Sequence, residues 1–360
     1  EPQVPVLPTS LLVRYCTHLG ALEMFPQRVA AALEEALPKR ISELSLNQAV
    51  DLLRASGRLR WRVPALLGPL LNLLRDSEGL RSLDGPALGS ILYELYRLDV
   101  YDEELVTALC KLLQPGVGQP VPRKTASNVL VALCYFSRPE AELCRGLIHE
   151  LLRAKELPPA AEYQLKTFEM AIRVGHASLT FEDLGPLATR WLYSVRTAAT
   201  RPEPQTESPF ADDVSSVAQG IAWRHDTEVE VGPYLLDFAG IAETEEEGAA
   251  AAEAFDERRS GLSLARSCVA LEADGPSHFY RPHGRPWHWT SSSKLRHKLL
   301  VAAGIRVAHV PFYDWMQLES LEEKESYLTK LLLRKRSKRW LVTPQGPPAN
   351  RSPEPAAARF

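Results

Sequence analysis

The chain has 360 residues, 45% hydrophobic and 24% charged, with a formal net charge of -3. That length suits two domains of ordinary size, and no apolar run of 18 or more residues reads as a membrane-spanning helix. The five cysteines, Cys16, Cys110, Cys134, Cys144 and Cys268, are scattered and form no CxxC pair, which points to reduced thiols in a non-secreted protein. The first residue, Glu1, is compatible with a leader already removed.

The N-terminal half is rich in leucine at helical spacing. Leu52, Leu53, Leu59, Leu66, Leu67, Leu70, Leu73 and Leu74 form one set. A shift of 39 residues gives Ile91, Leu92, Leu98, Leu105, Val106, Leu109, Leu112 and Leu113. A further 38 gives Val129, Leu130, Phe136, Leu143, Cys144, Leu147, Glu150 and Leu151, where only Glu150 breaks the apolar pattern. Each set predicts two amphipathic helices joined by a turn, and the period predicts an α-helical solenoid of stacked pairs. Val4 to Leu37 reads as an opening pair and Ala160 to Val174 as an exit helix, within a helical-repeat domain over 1–196. Arg54, Arg58, Arg60, Arg62, Arg97, Lys111, Arg123 and Lys124 are among its basic residues and read equally as a phosphate-binding surface or as a solvated helix face.

Residues 197–213 (TAATRPEPQTESPFADD) lack apolar period and read as a linker. A C-terminal unit over 214–333 follows, carrying an acidic insertion at 241–260, and 334–360 form a basic, then proline-rich tail. Charge is unevenly spread. Glu203 to Glu257 hold 15 acidic residues and one basic residue, Arg224, whereas Leu262 to Trp340 hold 14 Lys/Arg against 7 Asp/Glu. A basic unit of this kind is the electrostatic footprint of a phosphate binder. Val214 to Trp223 predict a helix, and Glu228 to Ala239 a hairpin turning at Gly232-Pro233. Cys268 to Asp274 predict a strand with Ala270, Glu272 and Asp274 on one face. Thr290 is placed to cap a helix over Ser291 to Ala303 that stops at Gly304. Ile305 to Val310 predict a strand, and Leu321 to Leu333 a last helix.

These blocks carry a resemblance. VALEADGPSHF, then Thr290 with Lys294 and Arg296, then GIRVAHVPFYDW, then Glu325 to Leu328 with Lys330 and Leu331, together resemble a RAP domain. Helical repeats followed by such a domain resemble the Fas-activated serine/threonine kinase family, octotricopeptide proteins and apicomplexan RAP proteins. No Gly-rich phosphate loop, HRD or DFG set accompanies the kinase name. The resemblance implies RNA binding in mitochondria or plastids, and a small α/β domain of restriction-endonuclease-like fold. The expected setting is the mitochondrial matrix, with a plastid as the alternative. The expected partners are ribosomal RNA and ribonucleoprotein components, as part of a mitochondrial ribosome or its assembly. A transcript stability or processing factor is the other reading.

That fold implies candidate catalytic residues. Asp237 and Glu272 stand where related nucleases hold Mg²⁺, while the position of their lysine is Asp274, which cannot supply the positive charge; His278 is a possible substitute. No cofactor is expected unless the domain is an Mg²⁺-dependent endoribonuclease. His278, His283 and His288 lack enforced zinc geometry, so no metal site is assigned to them. The basic aromatic loop is the stronger RNA candidate. Phe279, Tyr280, Trp287 and Trp289 offer stacking faces, with Arg281 and Arg285 as phosphate donors. Lys294, Arg296 and Lys298 follow on the next helix, and Arg334, Lys335 and Arg336 open the tail. Trp315 and Phe312 are expected in the core.

Overall fold

The computed structural model of the chain describes residues 7–117, 121–153, 156–198, 208–241, 267–281 and 286–336. The chain divides into two compact units. One comprises Glu1–Ile172, Ala177–Ala198 and Phe279–Lys294; the other comprises Arg173–His176, Ala199–His278 and Leu295–Phe360.

The first unit is built from helix pairs. They are α1 (Thr9–Ala21) with α2 (Gln27–Ala36), and α3 (Leu46–Leu59) with α4 (Pro64–Leu74). After the short α5 (Ser77–Arg81) come α6 (Gly85–Arg97) with α7 (Glu103–Leu112), and α8 (Arg123–Tyr135) with α9 (Ala141–Leu152). The first helices of successive pairs pack side by side, α1 on α3, α3 on α6 and α6 on α8. The overlaid apolar positions face inward as their spacing predicts. Leu52, Ile91 and Val129 are fully buried, as are Leu66, Leu70 and Leu109. Each leucine so buried contributes roughly 1.5–3 kcal/mol. Glu150 is accommodated because its counterparts Leu73 and Leu112 are themselves only half-buried. Pro64 starts α4 and Pro86 lies in the first turn of α6, where the missing N–H costs nothing.

The exit of the stack is longer than the spacing predicts. α10 (Pro159–Arg173) is followed by α11 (Phe181–Leu184) and α12 (Pro186–Thr197) rather than ending the array. α11 is capped by Thr180, whose hydroxyl accepts from Asp183 N.

A repeated chain reversal underlies the period. Glu23, Arg60, Asp99, Ser137 and Gly175 follow α1, α3, α6, α8 and α10 with positive φ of 53°, 54°, 54°, 53° and 68°. They stand 37, 39, 38 and 38 residues apart. After the first four, the next N–H returns to the carbonyl five residues back. The bonds are Met24 to Leu19, Trp61 to Ser56, Val100 to Leu95 and Arg138 to Leu133, at 2.8–3.0 Å. This is the left-handed helix stop that glycine usually supplies. Non-glycine residues there cost on the order of 1 kcal/mol each.

The second unit holds α13 (Pro209–Gly220), β1 (His225–Val231), β2 (Tyr234–Ile241), β3 (Ser267–Asp274), β4 (Val307–Pro311), α15 (Phe312–Trp315) and α16 (Leu321–Arg336). The helix α14 (Ser291–Ala302) precedes β4, and its residues from Leu295 onward belong here. The sheet order is β1-β2-β3-β4. β1, β2 and β3 are antiparallel neighbours, and β4 runs parallel to β3 with Glu272 opposite His309. The hairpin turns at Gly232 (φ 59°), where Val231 pairs with Tyr234. One sheet face carries the core: Phe238, Val269, Leu271, Ala273, Ala308 and Val310 pack with Val214, Val217, Trp223 and Trp315. Trp315 is buried as expected, while Phe312 is only half-buried.

These elements show helical repeats and a small α/β unit. One boundary differs from the sequence expectation. α13 begins at Pro209, so the last five residues of the expected 197–213 linker are helical; a proline at the first turn suits that start. The acidic insertion after Ile241 and the tail beyond Arg336 lie outside the described residues. No described helix is long and apolar enough to cross a membrane.

Candidate functional site

On the sheet face opposite the core, period two brings the chemistry together. Glu272 and Asp274 stand on β3, Asp237 on β2 and His309 on β4. Both β3 carboxylates are 2% exposed. Asp237 Oδ2 accepts from Ala273 N at 2.7 Å. Arg296 ion-pairs with Glu272 and donates to Leu235 O. Its guanidinium also lies over the Tyr234 ring, 5.8 Å from the centroid. Asp274 is held from two sides, by His309 Nδ1 at 2.9 Å and His278 Nδ1 at 3.2 Å. His309 Nε2 then meets His297 Nδ1 at 2.9 Å. The face therefore carries one connected row: His278, Asp274, His309, His297.

Burial governs the protonation of this face. It pushes the Glu272 carboxyl up to about 8, against the pull of Arg296 and with the help of Asp237 and Asp274. Burial likewise raises Asp237, opposed mainly by Arg296. The three carboxylates do come to one face, as the nuclease reading requires. Each carboxylate meets a donor from within the unit, Arg296 at Glu272, Ala273 N at Asp237 and the two histidines at Asp274, while Glu272 Oε1 is buried with no partner among the described residues. Among the described residues no group of three or more His, Cys, Asp or Glu is arranged to hold a metal ion. His278 binds Asp274 rather than standing in for a lysine beside Glu272.

The basic aromatic loop is corrected more strongly. Phe279 and Tyr280 are 1% and 5% exposed, so neither offers a ring face for base stacking. Their segment belongs to the helical unit. Arg281 N donates to Arg60 O at 2.7 Å, and Arg62 N donates to Arg281 O at 2.9 Å, so Arg281 lies as a short parallel bridge beside Trp61. Tyr280 OH donates to Arg97 O at 2.8 Å and accepts from Ser291 N at 2.8 Å. Lys294 ion-pairs with Asp99, which Tyr135 and Arg62 also approach. The residues that receive this segment are the left-handed stops Arg60 and Asp99 and their neighbours. Sequence spacing alone had no glycine there to mark them.

The remaining candidates are divided. Trp287 is half-buried, edge-on to Phe279 at 5.8 Å, and Trp289 is half-buried with its backbone bridged to Phe279. Lys298 is exposed on α14. Arg296 is committed to Glu272, as described. Arg285, and the side chains of Arg334, Lys335 and Arg336, lie outside what is described. Thr290 does cap α14, accepting from Ser293 N at 3.3 Å. In the helical unit Arg54 pairs with Asp51 and Arg97 with Glu94, so part of the expected basic face is internally neutralised. His309 was legible in principle: alternation along Val307 to Val310 puts it beside Glu272.

Residues 271–331 match the family model of the RAP domain. The match starts on Leu271 of β3 and runs into α16, so it covers Glu272, Asp274 and the segment that joins the helical unit. RAP domains are associated with RNA binding.

Proposed function

Taking the chain as a RAP-domain protein, we propose that it binds RNA in an organelle and does not cleave it. The RAP match is the observation that carries RNA binding, and the stacked helix pairs supply an extended surface of the kind used for long ligands. Two facts favour binding over cleavage. Asp274 occupies the place of the nuclease lysine, and Arg296 is paired with Glu272 while His309 and His278 hold Asp274. The setting proposed is the mitochondrial matrix, with ribosomal RNA as the ligand, as a component or assembly factor of the ribosome. A role in transcript stability or processing is the alternative, in a mitochondrion or a plastid.

The test of this setting is sedimentation of tagged full chain from organelle lysate at moderate salt, with crosslinked RNA sequenced from each fraction. Comigration with ribosomal particles and recovery of ribosomal RNA are expected. Free sedimentation with messenger fragments would move the role to transcript processing.

A further inference from the structure

In the helical unit a cavity of about 550 Å³ opens where α2 begins. Its polar and aromatic lining is Glu23, Phe25, Gln27, Glu34 and Arg281, over a floor of Ala30 and Ala31. Two of the polar groups are held in place. Arg281 is fixed by backbone bonds to Arg60 and Arg62, and its guanidinium lies 4.9 Å from the Phe25 ring centroid. Glu34 is oriented by Trp61, whose buried indole donates to Oε1 at 2.7 Å. The Arg281 Nε is buried and meets no acceptor among the described residues. An unmet buried donor is a cost that a ligand can remove.

The charges narrow the ligand. Two carboxylates against one guanidinium repel a phosphate. The cation's natural seat, the face of Phe25, is already taken by Arg281. What remains is a flat, neutral group that donates to a carboxylate on one edge and accepts from a guanidinium on another. Guanine does both: N1–H and the N2 amino group suit Glu34, while O6 and N7 are the acceptors that arginine reads most often. Adenine would turn its N1 acceptor toward the carboxylate. Unstacked bases of single-stranded RNA are read on these two edges.

We propose that this cavity is a guanine-reading pocket, with Glu34 and Arg281 as the specificity residues and Phe25 as an apolar wall. The proposal rests on the RNA-binding reading above and adds a base preference to it. The test uses the full chain and labelled 20-nucleotide uridine tracts carrying one central guanine, adenine or inosine. Guanine should bind about tenfold tighter than adenine, with inosine, which lacks the N2 amino group, between them. Glu34→Gln keeps an acceptor for Trp61 and should erase the preference while leaving the adenine tract unchanged. Arg281→Lys, which keeps charge but loses the planar fork, should do the same. Equal binding of the three tracts by the unaltered chain overturns the pocket and leaves RNA binding standing. Failure to bind any tract overturns both.

Discussion

Glu94 shows how one residue can carry the cost of a tight helix contact. It is 5% exposed between α3 and α6, and a side chain at Gly57 would overlap its carboxylate. Burial pushes its carboxyl up to about 7, against the pull of Arg97, Arg58 and Arg54. Among the described residues no hydrogen bond reaches Oε2, although Arg97 Nη1 lies 3.5 Å away. The folded chain therefore holds this proton more tightly than the unfolded one. The stability that Glu94 contributes falls as pH rises from about 4.5 to about 7 and levels off above that. Glu94→Gln removes the titration. The melting temperature of this variant, relative to the parent, should rise between pH 5 and pH 8, and parallel melting profiles across that range would contradict the assignment. In the sequence, Glu94 is one more charge among many; only the close approach of Gly57 reveals why it is buried.

The segment Phe279–Lys294 is the element whose role changed most between sequence and structure. Its composition, four aromatics with interleaved basic residues, reads as a nucleic-acid loop. Composition does not show where rings point, and Phe279 and Tyr280 point inward while Lys294 meets Asp99. The strands and helices around it were legible, because period two and period 3.6 declare their buried faces, and Thr290 announced the α14 cap. The stops at Arg60 and Asp99 were not legible, since no glycine marked them. Tyr280→Phe separates the two roles. It keeps the ring and strips the hydroxyl from Arg97 O and Ser291 N, so denaturant unfolding should show a loss of about 1–3 kcal/mol. A base-stacking tyrosine would instead show unchanged stability, since phenylalanine stacks equally well.

At the scale of the whole molecule, helical repeats and a RAP-matched α/β unit share one chain, and the second carries a buried carboxylate face contacted by Arg296, His309 and His278. Strand periodicity puts Glu272 and Asp274 on one face, whereas Asp237 is implied only by the family resemblance. Their partners, Arg296 from α14 and His309 from β4, depended on elements distant in sequence. On the proposed reading, this face does not cut RNA although the chain binds it. The direct measurement is a 5′-labelled single-stranded RNA incubated with the full chain and Mg²⁺, read for both retention and length. Salt-sensitive binding with the RNA intact over hours is the predicted result, unchanged in Asp237→Asn. Mg²⁺-dependent cleavage that disappears in Asp237→Asn would contradict it.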